Sequence, residues 1–171
     1  SNYVFAILKI VTAKLDRVRC RKLALSHESG EVQLKTPVKK SGSLRVGLSH
    51  IGDGDKMTAF VETVQTKRLD DLLTAESIPH VDIVKIDVEG AEYEILEGAS
   101  EALSKLSVIR VEVSFIEIRE GQRLAMEVGQ YLEHAGFRLM HMVELNPWRV
   151  HGYRVHPAVS REPIRYSRGQ L

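Results

Sequence analysis

The chain of 171 residues has one cysteine, one tryptophan, five prolines and few aromatics. Cys20 has no second cysteine to pair with, so no internal disulfide braces the fold, which suits a reducing compartment and a cytoplasmic protein. The alternating setting "VRCRKLAL" reads as a core thiol ahead of a nucleophile, although Arg19 and Arg21 flank it. No segment approaches the roughly 18 apolar residues of a membrane span. "SNYVFAILKI" lacks a basic opening and reads as an amphipathic helix, not a signal peptide. Charge of one sign is also missing. The formal net charge is +1, which argues against a dedicated nucleic-acid surface. The arginines after residue 148 (Arg149, Arg154, Arg161, Arg165, Arg168) read as a solvated edge first and an anion-binding patch second. Repeats and low-complexity tracts are absent.

What is present is 43% hydrophobic and 27% charged residues, enough for one globular domain with a core that needs no staple. Val4, Ile7, Leu8, Val11 and Leu15 recur at helical spacing from Asn2 to about Leu15. A strand is expected over Val18 to Leu25, then a turn at "SHESG" and a strand at "EVQLK". Residues 36 to about 58 read as a long loop. "AFVETVQTKRL" reads as a strand, and "LDDLLTAESI" as a short helix with Pro79 beyond it. After the segment discussed next, "SVIRVEVSF" alternates, with Ile109, Val111, Val113 and Phe115 on one face. "GQRLAMEVGQYLEHAG" reads as a helix stopped at Gly136, and "FRLMHMVEL" and "RVHGYRVH" as closing strands. This order predicts α/β architecture with a largely parallel sheet.

The stretch "DIVKIDVEGAEYEILEGA", Asp82 to Ala99, carries the most chemistry. Successive side chains of a strand point to opposite faces, which puts Val84, Ile86 and Val88 on one and Lys85, Asp87 and Glu89 on the other. Gly90 breaks the strand, and a helix from Ala91 follows with Glu92 and Glu94 in its first turn, where the helix dipole favours acids. Gly98 interrupts that helix and Ala99 to Leu106 resume it. In parallel α/β sheets ligands bind beyond the carboxyl ends of the strands. Asp87, Glu89 and Gly90 stand there after one strand, and Ala24, Leu25 and Ser26 after an earlier one.

"VDIVKIDVEGAEYEILEGA" resembles the signature of the FkbM-type family of S-adenosylmethionine-dependent methyltransferases. "ALSHESGEVQL", "TVQTKRLDDLL" and "IRVEVSF" are similar to that family's flanking segments in the same order, and the resemblance covers most of residues 18 to 136. It implies a Rossmann-like methyltransferase sheet, mostly parallel with an antiparallel closing strand. It implies S-adenosylmethionine as cofactor and a hydroxyl on a sugar, other glycan or natural product as acceptor, beside the expectation from composition and charge of no membrane span and no nucleic-acid partner. The glycine-rich strand–loop–strand with which family members begin has no counterpart here. "GDG" at Gly52 to Gly54 reads as a plain turn, so the expectation is a family domain that is N-terminally truncated.

By the same resemblance Glu89 is the base or substrate-orienting group and Asp87 holds cofactor or substrate, because methyl transfer to an alcohol needs positioning and removal of the hydroxyl proton. Ala24, Leu25 and Ser26 match the segment along which such enzymes lay adenine. The competing structural reading makes Lys85, Asp87, Arg110 and Glu112 a cross-strand ion-pair ladder, which is favoured for Lys85 and Arg110. A divalent site on Asp87, Glu89 and Glu112 is a minority alternative, and no metal is expected. His27 is the one histidine worth testing as acid or base. His151 and His156 read as surface residues, and Trp148 as a core cap. A rival of another class is a non-catalytic module assembling through an exposed sheet edge, such as a homodimer.

Overall fold

The structure is a computed structural model, and it describes residues 2–38, 49–51, 59–88, 90–117, 121–143 and 169–170. The chain divides into two compact units, Ser1–Pro79 with Glu94–Ala102, and His80–Tyr93 with Leu103–Leu171. The class is mixed α/β.

The first unit opens with helix α1 (Asn2–Thr12), followed by strands β1 (Ala24–Leu25), β2 (Gly30–Pro37), β3 (His50–Ile51) and β4 (Ala59–Lys67), and helix α2 (Leu69–Ala75). The strands order as β1-β4-β2-β3. β2 and β4 pair antiparallel from Gly30 opposite Thr66 to Pro37 opposite Ala59. Alternation explains the pairing: Val32, Leu34 and Thr36 face inward with Val64 and Thr66, while Gln33 and Thr63 are exposed. On that outer face the Gln33 amide donates to the hydroxyl of its cross-strand partner Thr63 at 3.0 Å. β1 runs parallel to β4, with Ala24 opposite Thr66 and Leu25 opposite Lys67. Helix α2 is closed by Ser77, two residues past its last residue, whose φ of 54° is left-handed. The N–H of Ile78 bonds the carbonyl of Leu73 at 2.9 Å and that of Ser77 bonds Thr74 at 3.0 Å, the paired closure of a Schellman end with serine where glycine is usual.

The second unit contains β5 (Ile83–Ile86), β6 (Val108–Val113), helix α5 (Ala125–His134) and β7 (Gly169–Gln170). β5 and β6 are parallel, with Lys85 opposite Arg110 and Ile86 opposite Val111, and β7 pairs antiparallel with β6. Ile86, Val111, Val113, Ala125, Val128 and Leu132 are buried. The carbonyl of Asp82 accepts from the N–H groups of Ser107 and Val108, which starts the two strands together. Helix α5 stops at Gly136, φ 94°, with the N–H of Phe137 on the carbonyl of Leu132 and that of Gly136 on Glu133. This is the glycine stop expected from the sequence. The short helices α3 (Glu92–Glu97) and α4 (Ser100–Leu103) join the units along the chain.

Several boundaries differ from the sequence expectation. The strand expected from Val18 shrinks to Ala24–Leu25, because only those two residues find partners on β4. Arg21 and Arg19 instead pair with Glu76 at the end of α2, through a two-pronged Arg21 contact and an Arg19 contact at 3.6 Å. β5 ends at Ile86, so Val88 lies past the strand and is exposed, as is Phe115 past β6. The resumed helix is one turn, Ser100–Leu103. Residues 137–142 of "FRLMHMVEL" form no strand. "RVHGYRVH", Trp148, His151 and His156 lie outside the described residues. Among the described residues no helix is long and apolar enough to cross a membrane.

Candidate functional site

β5 runs out at Ile86 and leaves Asp87 just beyond the carboxyl end of a parallel strand pair. The Asp87 carboxylate is ion-paired with Lys85, two residues back, and both side chains are about half exposed. The outer face of this strand therefore holds a charge pair along the strand. Across the strands Lys85 faces Arg110, a like charge. Glu89 lies outside the described residues. Gly90 takes φ of 115°, a conformation few side-chain-bearing residues adopt, which makes the bend.

Glu92 is the buried acid of this turn, 6% exposed. Both of its carboxylate oxygens lie 3.0 Å from the N–H of Gly90. A buried carboxylate must be met by donors, and here one of them is the bend itself. The sequence reading gave Glu92 only a favourable place in the helix dipole. The signal available was the Gly-x-Glu spacing, which returns the side chain to the glycine amide.

In the first unit, Ala24, Leu25 and Ser26 end β1, and all three are half-buried. The N–H of Ser26 donates to the carbonyl of Lys67 at 3.0 Å. Its carbonyl oxygen packs against Gly98, where a Cβ would lie 2.0 Å from that oxygen and 3.3 Å from the Cα of His27. With the amide engaged and the carbonyl turned inward, Ser26 presents its Oγ, which stands 3.4 Å from Nδ1 of His27. His27 Nε2 is in turn 3.8 Å from Glu28.

Gly98 also accepts, through its carbonyl, the N–H of Asp70 at 3.2 Å. Asp70 is 7% exposed. Its carboxylate accepts from the N–H of Ala102 at 2.9 Å, the N–H of Glu101 at 3.0 Å, Arg68 at 3.2 Å and the Ser100 hydroxyl at 3.4 Å. It thus satisfies the otherwise unpaired first amides of α4 from a distant helix. Asp71 accepts from the Ser29 hydroxyl at 3.1 Å, holding the turn between β1 and β2. Both acids of "LDD" are structural, and neither was singled out from the sequence because their partners lie some 30 to 42 residues away.

The second unit adds an aromatic cluster. Tyr93 and Tyr131 meet edge to face at 5.2 Å, and the Arg123 guanidinium lies 5.0 Å from the Tyr93 ring centre. Arg123 also pairs with Glu127 at 2.6 Å. The Leu124 N–H and then Arg123 hold the Glu127 carboxyl below its usual range. The expected site residues divide between the units, Asp87 in one and Ala24, Leu25 and Ser26 in the other. Among the described residues no three His, Cys, Asp or Glu side chains gather as metal ligands.

Residues 4–139 match the family described as the methyltransferase FkbM domain. Over 117 residues the chain is 31% identical to the 2-O-methyltransferase NoeI of Sinorhizobium fredii, covering 63% of this chain and 48% of that protein. Over 90 residues it is 30% identical to the hexuronic acid methyltransferase AglP of Haloferax volcanii, covering 52% of this chain and 34% of that protein. The matched region thus spans half or less of these curated relatives. No solved structure gives a significant match. With the matched region running from α1 to beyond α5, the chain belongs to the FkbM methyltransferase domain family.

Proposed function

We propose that the intact protein transfers a methyl group from S-adenosylmethionine to a hydroxyl oxygen of a sugar or natural-product acceptor. The names of the two relatives, one an O-methyltransferase and one acting on a hexuronic acid, favour a sugar hydroxyl. The observation that supports the reading is that Asp87, its carboxylate half exposed, stands just beyond the carboxyl end of a parallel pair and before the glycine bend, the kind of edge where open α/β sheets take ligands.

When bound, the cofactor supplies an electrophilic methyl carbon on a sulfonium. Glu89, two residues on in sequence, accepts the proton of the attacking hydroxyl, and Asp87 holds the cofactor. Lys85, ion-paired with Asp87, fixes the direction of that carboxylate. The residues of the β1 turn fit a purine in one respect: Leu25 offers half-buried apolar surface next to a polar Ser26 Oγ.

The test is transfer of labelled methyl to a panel containing a hexuronic acid, a neutral hexose and a polyketide alcohol. Label should appear on oxygen of at least one sugar, and Glu89→Gln should lower kcat by about 100-fold, the size expected for a lost general base. Full turnover by the Glu89→Gln and Asp87→Asn variants would remove the assigned roles. Absence of transfer to every hydroxyl would remove the reading.

A further inference from the structure

We propose that Gly98 is a positioning residue for cofactor binding: its bare Cα is the seat on which the Ser26–His27 turn rests. The proposal deepens the methyl-transfer reading and rests on its assignment of Ala24, Leu25 and Ser26 to the cofactor. Three sequence segments far apart in the chain meet at this glycine. A Cβ here would lie 2.0 Å from the carbonyl oxygen of Ser26 and 3.3 Å from the Cα of His27. The N–H of Asp70 holds its carbonyl, and the same Asp70 fixes the amides of Glu101 and Ala102 just after it. The seat is therefore held from behind by Asp70, so a side chain on it presses against the turn.

The consequence reaches the presented groups. Ser26 is tied at its N–H to Lys67 and packed at its carbonyl against Gly98, so the backbone from which its Oγ and the His27 ring project is placed by the seat. A methyl at position 98 stands 2.0 Å from a backbone oxygen. Backbone cannot swing aside as a flexible side-chain end does, so the turn must move. The far end of the same turn is held by the Ser29 hydroxyl on Asp71, an exposed contact whose loss loosens the turn without touching the core.

The experiment is titration of the intact protein with S-adenosylhomocysteine, together with amide hydrogen exchange at Ser26 and His27 and steady-state kinetics. Gly98→Ala is expected to weaken binding about tenfold and to speed Ser26 exchange about tenfold. Ser29→Ala is expected to weaken binding about threefold with an unchanged melting temperature. In both, KM for S-adenosylmethionine rises while KM for the acceptor stays within about twofold, a split that general destabilisation does not produce. Gly98→Ala binding as tightly as the wild type, or an equal rise in both KM values, overturns the proposal. If Gly98→Ala fails to fold, Ser29→Ala decides by the same criteria. A wild type that takes no S-adenosyl ligand overturns the methyl-transfer reading instead, and slow Ser26 exchange in Gly98→Ala then overturns the seat as well.

Discussion

Two buried carboxylates, one in each unit, hold backbone amides in different ways. Asp70 accepts from Glu101 and Ala102, more than 30 residues along the chain, and so ties α2 to the start of α4. Glu92 accepts from Gly90, two residues back, and so tightens a single bend. A contact that closes a long loop fixes elements relative to each other, whereas a local contact fixes only a turn. The first acid therefore belongs to the stability of its unit, and the second to the shape of the edge where Asp87 stands.

Variants can sharpen or break that contrast. Asp70→Ala leaves two amides near the start of α4 without their acceptor and should cost about 3 kcal/mol by chemical denaturation. Glu92→Ala should cost about 1.5 kcal/mol and Glu92→Gln less, since an amide oxygen still accepts from Gly90. Equal costs for Asp70 and Glu92 would erase the distinction. A smaller comparison concerns the two helix ends, Ser77 and Gly136, both left-handed. Ser77→Gly should stabilise by about 0.5 kcal/mol, whereas Gly136→Ala should destabilise by about 1 kcal/mol, read as opposite shifts in melting temperature.

The smallest effect is pH-dependent. Arg21, by its two-pronged hydrogen bond and then by its charge, holds the Glu76 carboxyl below its ordinary value of 4.5. A carboxylate with a lowered folded pKa adds stability above the unfolded value and loses it as pH falls through the folded one. The wild type and Arg21→Ala should therefore differ most at neutral pH and converge as the pH drops below about 4.5. A gap that widens in acid would contradict the assignment.

Much of the fold was legible where periodicity is local. The β2 and β4 strands, the apolar faces of β5 and β6 with Ile86 and Val111 inward, and α5 stopped by Gly136 follow from spacing, whereas the parallel pairing of β5 with β6 does not. The strand expected from Val18 was not, because alternation cannot say whether a partner exists, and Arg19 and Arg21 are drawn to Glu76 instead. At the site, the bend at Gly90 and the place of Asp87 were readable from the strand's end. The roles of Asp70 and Gly98 were not, because their partners at Ala102 and Ser26 are set by tertiary packing, which leaves no mark on local spacing.

The proposed chemistry is tested most directly by calorimetric titration of S-adenosylmethionine into the intact wild-type protein and its Asp87→Asn variant, both checked for an unchanged melting temperature. One-to-one binding that weakens in Asp87→Asn is expected. Saturable heat that is absent from the folded wild type, or identical in the variant, would contradict a methyl-transfer site built on the turn after β5.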